Sequence, residues 1–139
     1  MFEYGADVVR VVDGDTVYLN VDLGFFIRVT IQVRLRGVNT PELRGLTRER
    51  GLAAKAYVEA ALPTGAKVVV HTYKLEKYGR YLADLYYSPG ADSREAVLRQ
   101  PHHLNQELLD RGLAAVYMAD EIKLVGTPRA LLTEAAQPA

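Results

Sequence analysis

Neither cysteine nor tryptophan occurs in this chain of 139 residues. The first absence removes disulfides and thiolate metal centres, although it does not choose a redox compartment. Net charge is missing too, since 17 Lys and Arg balance 17 Asp and Glu. A neutral chain is a poor indiscriminate binder of nucleic acid, whose phosphates reward an excess of cations. No apolar run approaches the length needed to cross a bilayer. The first residues, Met-Phe-Glu-Tyr-Gly-Ala-Asp, lack the basic region and long apolar segment of a secretory signal. Taken as a native start, they predict a cytoplasmic protein with no membrane partner.

What is present fits one folded unit. Hydrophobic residues at 49% and charged residues at 24% are ordinary for a globular domain, and the length suits a single domain over residues 1–139. The charges are unevenly spread. Residues 1–27 carry one basic and five acidic side chains, whereas residues 28–55 carry seven basic and two acidic ones. Arg48, Arg50 and Lys55 read as a solvated face. Arg34 and Arg36 differ, because they alternate within an apolar strand-like run and so share one face, where they need an anionic partner.

The pattern from Val8 to Leu19 reads as strand, turn at Gly14 and strand. Gly24 separates Tyr18–Leu23 from a third strand, Phe25 to Leu35. Thr47 to Leu62 follows helical spacing, with Leu52, Ala56, Tyr57 and Ala60 on one face, and Pro63-Thr64-Gly65 stops it. Lys67–Tyr73 and Tyr81–Tyr87 read as strands joined at Gly79. Asn105 is a plausible N-cap for a helix that Gly112 ends, and Thr127-Pro128 opens a last helix to about residue 137. Five strands with helices between and after them predict an α+β fold, a small closed barrel with helices packed outside.

Three short stretches carry chemistry. Val12-Asp13-Gly14-Asp15-Thr16 and Val33-Arg34-Leu35-Arg36-Gly37-Val38-Asn39-Thr40-Pro41-Glu42 place acids and an arginine at the ends of neighbouring strands. Lys77-Tyr78-Gly79-Arg80 adds a second arginine in a glycine turn. Carboxylates for a divalent metal, with arginines for a phosphate, are what metal-assisted phosphodiester cleavage requires. On these motifs the chain resembles the staphylococcal (micrococcal) nuclease, or thermonuclease, family from about Val8 to Tyr117.

That resemblance implies an oligonucleotide-binding-type five-stranded barrel with about three helices. It also implies roles for single residues. Asp15 matches a calcium ligand, Thr40 a backbone-carbonyl ligand, and Asp13 an acid close to the ion. Asn39 stands where the family usually has a second carboxylate ligand, which removes a charge. The expected cofactor is therefore calcium, with magnesium or manganese as substitutes. Glu42 matches the catalytic glutamate. Arg34 and Arg80 match the arginines that contact the scissile phosphate and stabilise the developing charge. Lys77, Tyr78 and Tyr117 match positions that touch substrate.

Other features read as structural. Tyr57, Tyr73, Tyr81 and Tyr86 sit where core packing explains them. His102 and His103 fall in a segment from residue 88 to 104 that the family's compact form lacks; they have no acidic partner at ligand spacing and read as a solvated loop. The function expected is a monomeric, metal-dependent nuclease acting on DNA and RNA with little sequence specificity. Two rivals differ from it: a catalytically silent barrel that only binds nucleic acid or protein, and a processing enzyme whose insertion selects a structured substrate.

Overall fold

The computed structural model describes residues 2–117, the side chain of Lys74 excepted. The element order is β1 (Phe2–Asp13), β2 (Thr16–Asp22), β3 (Arg28–Leu35), β4 (Val38–Asn39), α1 (Arg48–Ala61), β5 (Lys67–Leu75), β6 (Tyr81–Tyr87), α2 (Arg94–Arg99), β7 (His102–His103), α3 (Leu104–Asp110) and β8 (Ala115–Val116). Strands β3, β2, β1, β5 and β6 follow one another across a sheet, and β3 also pairs with β6 in parallel. That last pairing closes a five-stranded barrel, which removes the open sheet edges. The helix expected from Pro128 lies outside the described residues.

Alternation builds the barrel interior. Val17, Leu19 and Val21 of β2 face inward beside Val33 and Leu35 of β3 and Val68 and Val70 of β5, and all are buried. Leu104 and Leu108 of α3 and Val58 of α1 join the same core. The first strand starts at Phe2, earlier than its β-branched run suggested, because it pairs with β5 from Phe2↔Thr72 onward. The third starts later, at Arg28, because residues 23–27 form the connection from β2.

Helix α1 buries Gly51, Ala54 and Val58. Leu52 is exposed, as are Ala56 and Ala60, and Tyr57 is only partly covered. The helix approaches the barrel too closely for large side chains, so its small residues form the contact. Among the described residues no helix is long and apolar enough to cross a membrane.

The two histidines are not in a solvated loop. They form β7, which pairs with β6 and extends the sheet. His103 Nε2 lies 3.0 Å from Asp84 Oδ1, and His102 Nδ1 lies 3.2 Å from Glu107 Oε2. The sequence separations of 19 and 5 residues hid these partners. Asp84 also accepts the Tyr73 hydroxyl at 2.8 Å and Arg36 Nη2 at 3.1 Å. Arg36 thus finds its anionic partner on β6. Tyr73 is held by this network rather than by apolar packing, and Tyr81 is exposed.

Burial alone would raise the Asp84 carboxyl, but the His103 hydrogen bond, the Arg36 charge and the Tyr73 hydroxyl together hold it below its ordinary value. A group with a depressed folded pKa contributes stability above its unfolded value and loses it as pH falls through the folded one. The melting temperature is therefore expected to fall below about pH 4. Asp84→Asn is expected to flatten that acid limb while costing about 1.5–3 kcal/mol at neutral pH. Calorimetric melting from pH 2 to 7 checks both; an acid limb as steep in the variant as in the parent removes Asp84 as its cause.

Candidate functional site

The turn after β1 lies where barrel, loop and helix meet. A Cβ on Gly14 would come within 2.8 Å of Thr40 Cγ2 and 3.0 Å of Ala54 Cβ, so glycine lets the Asp13–Asp15 turn settle there. Asp15 is buried, 8% exposed. Its Oδ1 accepts the Thr16 hydroxyl at 3.0 Å, and its Oδ2 accepts the Thr40 N–H at 3.1 Å. Arg34, 7% exposed, brings Nη2 to 3.8 Å from the same oxygen. A buried cation and a buried anion compensate each other there.

Two more expected residues gather on Arg34. Its Nη2 donates to the Val38 carbonyl at 3.0 Å and to Asn39 Oδ1 at 3.5 Å. Its guanidinium carbon lies 4.7 Å from the centre of the Tyr117 ring. The small β4–β8 sheet makes this possible, since it pairs Val38 with Val116 and Asn39 with Ala115. The Tyr117 N–H then donates to the Gly37 carbonyl at 2.9 Å.

Arg80 arrives from the β5–β6 turn, where Gly79 takes a left-handed φ of 82°. Its Nη1 reaches Thr16 Oγ1 at 3.5 Å, so both arginines meet the Asp15-Thr16 pair. Glu76, a residue the motifs did not flag, holds it. Oε1 accepts Arg80 Nε at 3.1 Å and Oε2 accepts Nη2 at 3.0 Å, a bidentate grip. The same Oε1 accepts the backbone N–H groups of Tyr78 at 2.9 Å and Arg80 at 3.0 Å. Burial would raise the Glu76 carboxyl, but the Arg80 contacts pull it below its usual value. Lys77 and Tyr78 stand out on this turn, with Lys77 Nζ 5.0 Å from the Tyr78 ring centre. Glu76→Gln keeps the shape and removes the charge, and it is expected to lower turnover about tenfold or more by loosening Arg80. Steady-state kinetics with a KM-against-kcat split checks it, and an unchanged kcat would remove Glu76 as a positioning residue.

Glu42 stands exposed on the loop before α1. The Thr47 hydroxyl donates to the Glu42 carbonyl at 2.9 Å instead of capping the helix. Gly51 lies directly under the loop: a Cβ there would come within 2.5 Å of the Glu42 carbonyl oxygen and 2.7 Å of that of Pro41. Gly51→Ala is therefore expected to push the loop away, at about 1–3 kcal/mol of overpacking, although alanine favours helix. A melting temperature equal to or above that of the parent would show that the loop yields freely.

The site is electrostatically joined. Burial raises the Asp13 carboxyl above its ordinary value, and the charge of Asp15 raises it further; Glu42 adds to the rise, while Lys55 and Arg80 oppose it. Acids and arginines thus share one mouth of the barrel. Among the described residues no three acidic or histidine side chains converge at metal-ligand spacing. Asp15 and Asn39 offer oxygen donors, the kind a hard divalent cation takes, without forming a closed protein cage. The crowding of Asp13 and Asp15 favours positive charge there.

Known proteins give the same direction. The family described as staphylococcal nuclease homologue matches residues 32–138. An uncharacterized protein of Methanocaldococcus jannaschii is 31% identical, over 84% of this chain and 61% of its own length. Protein ParB of Escherichia coli is 30% identical, over 83% of this chain and 58% of its own length. The chain thus spans about three fifths of these curated relatives.

Proposed function

The chain belongs to the family of staphylococcal nuclease homologues, and on that footing we propose that it is a metal-dependent nuclease hydrolysing DNA and RNA with little sequence specificity. One observation carries the reading: two arginines, one from β3 and one from the β5–β6 turn, converge on Asp15 and Thr16, with Glu42 on the adjoining loop. A barrel that only binds has no need of that triangle. Arg34 and Arg80 clamp the phosphate, with planar donors that match its oxygens. Glu42 orients a water for in-line attack and accepts its proton. The water oxygen bonds to phosphorus, the 5′ P–O bond breaks, and a 3′-phosphate remains. Arg80 balances charge on the leaving oxygen, which takes a proton from solvent.

Asp15, with Asn39, the Thr40 backbone and Asp13 nearby, would hold the divalent ion. When bound, such an ion offsets phosphoryl charge and acidifies water. Lys77, Tyr78 and Tyr117 would contact the flanking substrate.

The test is incubation with single- and double-stranded DNA and RNA under calcium, magnesium, manganese and chelator, with product ends identified by mass spectrometry. Asn39 favours a second reading, a catalytically weakened binding barrel, because it brings a neutral amide where a charged ligand would serve the ion better. Binding without cleavage under every ion is the outcome that selects it.

A further inference from the structure

The connection between β2 and β3 is strained in an informative way. Gly24, Phe25 and Phe26 have φ of 82°, 54° and 63°, and the Ile27 N–H donates back to the Gly24 carbonyl at 2.9 Å. Positive φ at both central residues is the signature of a type I′ turn, a place for Asn-Gly. Two phenylalanines occupy it instead, each at roughly 1–2 kcal/mol of left-handed strain. Phe25 is 94% exposed and Phe26 fully exposed. The phenylalanines therefore serve neither the turn nor the core.

The outer face of the sheet runs from that tip to the site. Register places Thr16 beside Arg34, Tyr18 beside Gln32, Asn20 beside Thr30 and Asp22 beside Arg28, and β1 adds Arg10 beside Tyr18 and Asp13 beside Thr16. All lie on the face opposite the core. At the site end stand Arg34 and Thr16. Midway the Arg10 guanidinium lies over the Tyr18 ring at 4.7 Å, a flat cationic platform. The tip end is charge-balanced: Arg28 pairs with Asp7 at 3.4 Å and Asp22 at 3.9 Å, and Lys67 pairs with Asp7 at 2.9 Å.

We propose that this face is a track for unpaired nucleic acid, in which a strand leaving the Arg34–Arg80 site stacks a base on Arg10–Tyr18 and a further base on Phe25–Phe26. The proposal rests on the nuclease reading. Continuity with the site names the occupant, and aromatic faces suit bases of any identity. Balanced charge means that the tip acts by stacking and not by counterion release. A second copy is disfavoured, because one hairpin tip is small against the ~1,200 Å² of a stable interface. The track spans ~20 Å at about 3.3 Å per residue of β2, so a dinucleotide at the site cannot reach the tip.

The test uses Phe25→Asn/Phe26→Gly, which installs the residues an I′ turn prefers. Labelled oligothymidylates with cleavage-resistant phosphorothioate linkages, a dinucleotide and one of roughly twelve nucleotides, are titrated by anisotropy into parent and variant in the presence of calcium. Affinity for the longer strand is expected to fall about tenfold or more, by a similar factor at low and high salt. The melting temperature should rise, since strain is relieved. Affinity for the dinucleotide and for a duplex of the longer length should match the parent. Tyr18→Ala should lower long-strand affinity as well, independently of the turn. Equal long-strand affinities in parent and turn variant overturn the track. So does loss of binding to neutral phosphatidylcholine vesicles with oligonucleotide affinity intact, which would make the tip a bilayer contact. If the parent binds no oligonucleotide of either length, the nuclease reading itself falls, and the track with it.

Discussion

Replacing Arg34 or Arg80 by alanine is expected to lower turnover on nucleic acid by on the order of 10² or more. The two residues do different work, so their variants should fail differently. Arg34 is buried against Asp15, and it also bonds the Val38 carbonyl. Its removal leaves a buried carboxylate without its nearby cation, so Arg34→Ala should lose stability as well as activity. Arg80 is half-buried and grips Glu76, whose side chain is itself buried. Arg80→Ala takes that carboxylate's cation away but leaves it the backbone N–H groups of residues 78 and 80, so it should lose less stability than Arg34→Ala for a similar loss of activity. Lysine should rescue either site poorly, because a point charge cannot reproduce the fork that meets two phosphate oxygens. Single-turnover kinetics beside thermal melts separates these effects. Near-parental cleavage by both alanine variants would place the chemistry elsewhere.

Short-range spacing made part of this site legible. Asp13 and Asp15 flank a glycine and Arg80 follows one, so these three sit at strand ends, whereas Glu42 follows a proline on the loop before α1. Their convergence needed three dimensions. Nothing local announces Glu76, because an acid four residues before an arginine is common on any surface, and here the pair closes a turn rather than a helix face. Gly51 was invisible for a related reason. Inside a helix it looks like a weakness, and only the approach of the Glu42 carbonyl explains it. The face of α1 was misread because hydrophobic spacing favours large residues, whereas close contact selects small ones. His102 and His103 were misread because their acids lie on β6 and α3. Phe25 and Phe26 blended into an apolar strand pattern, and only their φ values set them apart.

Chelation of divalent ions is expected to abolish cleavage, and the reason lies in the charges of the site. Asp13, Asp15 and Glu42 are coupled at one barrel mouth, and a phosphodiester drawn in by Arg34 and Arg80 brings more negative charge. Two guanidiniums, each already compensated, Arg34 by Asp15 and Arg80 by Glu76, do not offset that sum. A hard cation does, and oxygen donors from Asp15, Asn39 and the Thr40 backbone suit one. Asn39 tunes the affinity. Its Oδ1 faces the same region as Arg34 Nη2, so Asn39→Asp places a new charge beside both the acids and the arginine. Calcium and magnesium titrated calorimetrically into parent and variant, without substrate, should show tighter binding in the variant. The ion concentration for half-maximal cleavage should fall in parallel. In the ion-free state the added carboxylate meets Asp13 and Asp15 uncompensated, apart from its contact with Arg34, so the variant should gain more melting temperature on ion addition than the parent does. Cleavage undiminished in chelator would sink the metal requirement. Equal affinities in the two proteins would instead mean that residue 39 serves Arg34 alone and does not face the ion.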